Sequence, residues 1–399
     1  MTPFLGLLLI LAITFIGVRF FGRSAVLKTP LFSGLIVSGV PYILIGVILG
    51  PRMFNFLNAE VTIHLKPLIS MAIGWVGLLF GLQLRWRNIR RFPGNYILFT
   101  SVQSLISFVI IVLGLGLVLH FFSHPLLGNR PEALFILAAL GSMTAPLSIG
   151  RIIIEKKVKG RLAHLLQFVS SLDSFWGIII AGVVMAIYHP PALRWISWQW
   201  QWILLSVIIS IIIGIIFRFL FTTRFGQDET FLIVLGLIIF TSGMGFYLRL
   251  SPIFINMIVG ITIAQFHRES DKVMRVLHLA EKPTYVFLLV FAGASWNFHF
   301  GEEILLILAF IVARFLGKLI GGWISASRID CAFPIPRDVG KALLSFGGIS
   351  LALAFNFQLF YGGFMGDFLM SATILSLLFF DEYTAVSIRN ILRRQGELV

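Results

Sequence analysis

The chain has 399 residues, 58% of them hydrophobic and only 12% charged, with a formal net charge of +14. So few charges cannot cover the surface of a water-soluble enzyme, and the composition is that of a polytopic membrane protein. The basic residues punctuate apolar runs instead of collecting on one face, which argues against nucleic acid as a partner.

Apolar runs long enough to cross a hydrocarbon core of roughly 30 Å predict thirteen spans. In chain order they are about residues 3–18, 30–50, 66–84, 95–119, 132–152, 163–187, 200–221, 228–247, 251–266, 283–298, 302–326, 338–359 and 366–386. The first has no small-residue cleavage site followed by a soluble domain, so it is expected to stay as a helix. The gaps hold no second domain, and residues 1–399 are expected to form one all-α membrane domain with no soluble regulatory part. Of the 31 Lys and Arg residues, 23 follow odd-numbered spans and 5 follow even-numbered ones. That asymmetry places the odd loops and the C-terminus in the cytoplasm and the N-terminus outside, with the inner (cell) membrane of a prokaryote as the expected location. Cys331, the one cysteine, falls in an odd loop and supports neither a disulfide framework nor a metal site.

The fifth span contains GSMTAPLSIG, in which Gly141, Thr144 and Pro146 interrupt the helix, because proline lacks an N–H and clashes with the preceding turn. The twelfth contains SFGGIS, where Gly347 and Gly348, flanked by Ser345 and Ser350, weaken it. An odd offset of seven spans makes the two halves inverted. The expected repeats are 30–187 and 251–386, leaving spans one, seven and eight peripheral or linking. Paired helix breaks in inverted halves point to a transporter's midplane site, whereas either break alone is ordinary membrane-helix packing.

Within the sixth span, LLQFVSSLDSFWGIII carries Asp173, about 12 residues past Arg161 and so roughly 18 Å deep. Lys318, in the eleventh span, lies about 10 residues before Arg328 and roughly 15 Å from the same side. The matching depths predict an Asp173–Lys318 pair, with Arg314, one turn from Lys318, as competing partner. Such a pair either serves transport or merely locks two helices. Ser170 and Ser174 flank the acid and, with Thr144 and backbone carbonyls near Thr144 and Gly347, offer oxygen ligands for an alkali cation. Serines in membrane helices more often bond their own backbone. Asp381 and Glu382 read as helix-end residues, Asp367 as an outer-edge residue, and His164 as an interfacial one. No zinc-protease, nucleotide-loop or catalytic-triad pattern is present, so an enzyme is not expected.

Several segments resemble the cation/proton antiporter superfamily, the sodium/hydrogen exchanger fold of NhaA-type and Kef-type transporters. PYILIGVILGP, GWVGLLFGLQLRWRNIRR, GSMTAPLSIGRII, FLLVFAGASWNF, ARFLGKLIGGW and LLSFGGISLALA are similar to its successive signatures, in its order, over nearly the whole chain. The resemblance implies an ion site at a pair of adjacent residues, typically Asp-Asp or Asn-Asp. Here that pair is Asp173–Ser174, so Ser174 replaces the second acid, unless a shift of one residue makes Asp173 the ion carboxylate. Lys318 matches the lysine that pairs with the first acid. The function implied is exchange of a monovalent cation, Na+ or K+, for protons by alternating access. The alternatives are a membrane subunit or channel-like protein that keeps the fold without antiport, or a transporter of another small ion, including an anion drawn by Lys318 and Arg314. Expected partners are the cation, protons, the lipid bilayer, a second copy of the chain as homodimer, and a separate cytoplasmic regulatory subunit. No cofactor, metal or nucleic acid is expected.

Overall fold

The computed structural model describes residues 39–122, 131–189, 198–220, 225–266, 270–297 and 301–398, together with Gly6, Leu8 and Ala12. The predicted first span otherwise lies outside the described residues, as does the start of the second.

Apolar runs become helices wherever they meet a start signal. α1 (Val40–Leu49) begins at the Val40–Pro41 pair. Asn58 caps α2 (Ala59–Gln83) by accepting the Val61 N–H at 2.8 Å. α3 (Gly94–Phe122) is a long, apolar helix. The fifth span is divided into α4 (Pro131–Ser142) and α5 (Pro146–Glu155), and α6 (Arg161–Ile187) follows. Next come α7 (Gln199–Leu220), α8 (Gln227–Tyr247) and α9 (Pro252–Phe266), with Pro252 at the first position of α9, where a missing N–H leaves nothing unsatisfied. α10 (Ser270–Ala294) and α11 (Glu302–Arg328) lead to a 3-10 turn (Val339–Leu343), α12 (Gly348–Tyr361) and α13 (Gly363–Arg394).

The tenth span needs correction. It was expected from residue 283, but its helix starts at Ser270, because Pro283 sits inside α10 and does not end it. The polar first turns, with Asp271, Lys272, His278 and Glu281, conceal a helix from a purely hydrophobic count. Eight of the described helices are long and apolar enough to cross a membrane, and α1, α4, α9 and α12 are shorter apolar helices.

Two bundles result. α1, α2 and α7–α10 pack as one, and α3–α6 pack with α11–α13 as the other; α12 touches α2 and α10, and α6 touches α7 and α9 across the boundary. Within the first bundle helices approach backbone to backbone. A Cβ at Gly81 would overlap the Met257 carbonyl, and one at Gly293 the Ile43 carbonyl. Small residues permit this proximity, which supplies the dispersion contacts that replace a hydrophobic driving force in lipid.

Candidate functional site

The site is built from what the two breaks leave unsatisfied. A helix running through the fifth span would bond residue 146 back to the Ser142 carbonyl, but Pro146 has no N–H to give. Lys318 from α11 donates to that carbonyl instead, at 2.5 Å. The Ala145 N–H is diverted to the Ser345 carbonyl of the other break, 3.1 Å away. Arg314 takes the rest: it donates to the carbonyls of Gly141 and Met143 on one side, and of Leu344 (2.8 Å) and Ser345 (3.2 Å) on the other. Its guanidinium also lies over the Phe346 ring at 4.0 Å and the Phe380 ring at 5.4 Å. One arginine thus ties both interrupted segments together, and the negative ends of α4 and the 3-10 turn offset its charge.

Asp173 lies beside this crossing with no exposure to solvent, as do Lys318 and Arg314. Its Oδ2 accepts from Lys318 Nζ at 2.6 Å and from the Thr144 hydroxyl at 2.6 Å. Lys318 also donates to Thr144 Oγ1 at 2.8 Å, so its three N–H groups have three acceptors. The Thr144 hydroxyl is also 2.9 Å from the Leu343 carbonyl, a second acceptor for its single proton. Asp173 Oδ1 remains buried without a hydrogen-bond partner among the described residues, as do Ser345 Oγ and Arg314 Nε. An oxyanion oxygen left over at such a place is where a proton or a small cation can be held.

The expected site residues fall into three groups. Asp173, Lys318 and Thr144 meet directly. Arg314, expected as the competing partner of Asp173, binds carbonyls instead, since its planar fork matches the freed backbone oxygens better than Lys318's point charge does. Ser170 turns away from the site to its own helix, donating to the Gln167 carbonyl at 2.9 Å. The Ser174 hydroxyl faces two acceptors, the Thr144 carbonyl at 3.1 Å and the Ser170 carbonyl at 3.2 Å. The carbonyls expected to be vacant are therefore engaged; that of Gly347, the N-cap of α12, accepts the Leu351 N–H at 3.1 Å. A Cβ at Gly347 would press on that of Ala145, at 2.7 Å, so glycine allows the two broken chains to cross.

Clefts between the bundles approach the crossing. On the side of the Arg85–Arg91 loop, one of about 260 Å3 runs along α6 past His164, Gln167 and Ser171 to Leu172, next to Asp173. A second, of about 70 Å3, reaches Pro146 and Gly348, the first residues of α5 and α12, from Gln83 and from Glu281, Thr284 and Tyr285 of α10. On the opposite face, a cleft of about 260 Å3 with Lys66 and Asp367 on its walls stops at Phe291 and Phe355, whose ring centroids are 6.0 Å apart. Sequence reasoning missed Glu281, because it fell between expected spans, and Gln83, which stood in a quoted motif without a role. Among the described residues no three His, Cys, Asp or Glu side chains cluster to hold a metal ion.

The family described as "Sodium/hydrogen exchanger, transmembrane" matches residues 20–388. Among solved structures, the sodium proton antiporter MjNhaP1 from Methanocaldococcus jannaschii at pH 8 superposes with a TM-score of 0.67 at 15% identity, covering 96% of this chain and 97% of that one. An electron-microscopy structure of the same antiporter gives 0.53, again at 15% identity, covering 92% and 96%. At that identity the likeness is one of fold. No curated protein sequence matches.

Proposed function

The chain belongs to the sodium/hydrogen exchanger family and is an integral membrane protein, not an enzyme; from that premise we propose that it exchanges a monovalent cation, Na+ or K+, for protons by alternating access. The observation that carries this is the buried Asp173–Lys318 pair at the crossing of the two breaks, with Asp173 Oδ1 left over. A carboxylate that holds either a proton or a cation, but not both, couples their movements. Lys318 fixes Oδ2 and leaves Oδ1 for the exchanged ion. The proposed moving unit is the bundle of α3–α6 and α11–α13, working against the other bundle. Inverted repeats over 30–187 and 251–386 are consistent with the packing of α1 on α10 and of α2 on α9, which pairs the second span with the tenth and the third with the ninth. A homodimer is part of the same proposal.

The test is cation-driven proton movement in proteoliposomes, with Na+, K+ and a set of anions supplied in turn. Asp173→Asn is expected to abolish it in a folded protein, since an amide keeps the shape but cannot exchange a proton. Full flux in that variant sinks the mechanism. A second reading, a permanent bridge without antiport, is favoured by the complete set of Lys318 partners and by serine at position 174. It predicts no flux in the native protein.

The proposed orientation puts the Arg85–Arg91 loop in the cytoplasm. Cys331 is a poor reporter of it, being 4% exposed. Burial, and then the Asp330 carboxylate, push its thiol above the usual range and keep thiolate scarce at neutral pH. Lys159→Cys in a Cys331→Ser background gives an exposed position instead. An impermeant maleimide is expected to label it only after the cells are opened.

A further inference from the structure

The smaller of the two clefts on the Arg85–Arg91 side sets a carboxylate, Glu281, beside unspent neutral polar groups. It lies between the bundles, with α2 and α10 on one wall and the beginnings of α5 and α12 on the other. Its volume of about 70 Å3 is several times the roughly 10–15 Å3 that one water molecule needs. Gln83, Thr284 and Tyr285 line it, and none of their side chains bonds to the described protein residues. Glu281 lines it too and commits only Oε2, to His278 Nδ1 at 2.6 Å; Oε1 takes no donor among the described residues. Four oxygen-bearing side chains, one of them a carboxylate, therefore share a small chamber that opens on both helix breaks.

Alkali cations are hard ions and take carboxylate, amide-carbonyl and hydroxyl oxygens together with water. At the crossing itself the freed carbonyls already have donors, and position 174 carries a hydroxyl where a second acid would stand. We propose that Glu281, with Gln83, Thr284 and Tyr285, forms a recruiting site for a hydrated monovalent cation on its way to Asp173. The site rests on the exchange reading above and adds to it the place where the cation is first concentrated. Glu281 attracts the ion through its charge, and the three neutral oxygens replace part of its hydration shell. The ion then needs to pass only the α5 and α12 starts to reach Asp173 Oδ1. Because Glu281 belongs to the bundle opposite Asp173, movement of the bundles separates the recruiting carboxylate from the exchanging one and favours release on the other face. The His278–Glu281 contact has a blander role as an i,i+3 helix pair; the test must distinguish the two.

The experiment titrates the purified full-length protein with NaCl or KCl, balanced with choline chloride to constant ionic strength, and reads the melting temperature. The native protein is expected to show saturable stabilisation by at least one of the two cations. Glu281→Gln is expected to raise the half-saturating concentration at least tenfold while leaving the cation-free melting temperature unchanged. Tyr285→Phe, which removes one neutral oxygen and no charge, is expected to raise it two- to threefold, and serves if Glu281→Gln does not fold. His278→Ala breaks the helix pair but frees Glu281, and is expected to leave the half-saturating concentration the same or lower. In flux assays with the cation supplied from the Arg85–Arg91 side, Glu281→Gln is expected to raise the cation KM with the maximal rate kept. An unchanged half-saturating concentration in Glu281→Gln and Tyr285→Phe overturns the proposal, as does a native protein that neither cation stabilises. Saturable stabilisation in a native protein that moves no protons would fell the exchange reading and leave the recruiting site standing.

Discussion

The crossing of the two breaks and the chamber beside Glu281 adjoin each other yet treat polar groups in opposite ways. At the crossing, the carbonyls of residues 141–144 and 343–345 accept from Arg314, Lys318, Thr144, Ser174 or Ala145. In the chamber, the side chains of Gln83, Thr284 and Tyr285 make no hydrogen bond among the described residues. The first arrangement is rigid and supports itself, because removing any member leaves another buried and unpaired. The second lies on the boundary between the two bundles, where groups that bond no protein partner can trade water for an ion at little cost. A transporter needs both: a fixed charged centre that defines the site, and a wet approach that does not.

The largest expected effect tests the rigid half. Asp173→Asn leaves Lys318 charged at full burial and is expected to destabilise by about 3–5 kcal/mol, the range for a broken buried pair. Adding Lys318→Met removes the stranded charge and should recover most of that loss. Melting of the two single variants and the double variant in detergent makes the measurement. A double variant as unstable as Asp173→Asn alone would mean that the pair does not hold the crossing.

Backbone proximity comes next. At Gly81 a Cβ would overlap the Met257 carbonyl, so Gly81→Ala forces α2 and α9 apart. The expected loss is about 1–3 kcal/mol from overpacking, even though alanine is the better helix former. Gly116→Ala, where nothing lies within 4 Å, is the control and should stabilise slightly. Equal losses at both positions would show that helix propensity, not the helix crossing, decides.

Much of the rigid half could be read in the residues. A lone acid and a lone lysine at matching depths in apolar runs are expensive unless they meet, and a proline within an apolar run marks where backbone oxygens come free. The job of Arg314 was not legible. Its spacing placed it one turn from Lys318, but which carbonyls it reaches depends on how two chains distant in sequence cross. The chamber was hidden for another reason. Glu281 and His278 lower the hydrophobicity of the first turns of α10, so a count of apolar residues reads them as loop, and only the packing of α10 against α5 and α12 gives the carboxylate a place. The resemblance supplied the family and the fold. It left the replaced acid at position 174 unexplained.

A smaller effect lies at the end of α6. Gly160, its N-cap, has no side chain to offer, and the Glu397 carboxylate accepts instead from the Leu162 and Ala163 N–H groups at 2.8 and 3.0 Å. An acid there also meets the positive end of the helix. Glu397→Ala is expected to cost about 1 kcal/mol. Hydrogen exchange should show the loss as faster exchange at Leu162 and Ala163, with the amides around Asp173 unchanged. Equal exchange in both proteins would mean that water caps the helix as well as Glu397 does.

The smallest effect, at Thr284, draws the sharpest line between the two regions when set beside the same chemical change at Thr144. Threonine to valine keeps the shape and removes a hydroxyl. Thr144 is 1% exposed and its hydroxyl touches Asp173, Lys318 and the Leu343 carbonyl, so Thr144→Val strands groups that water cannot reach. A loss of about 1–3 kcal/mol is the usual penalty. Thr284 faces the chamber and its hydroxyl bonds to no described protein group, so Thr284→Val strands no protein partner. Its stability is expected to stay within about 0.5 kcal/mol of the native protein. Melting both variants under one condition isolates the surroundings as the cause, since the side chains are identical. A Thr284→Val loss as large as that of Thr144→Val would place the chamber hydroxyl in a buried network and remove the distinction between fixed centre and wet approach.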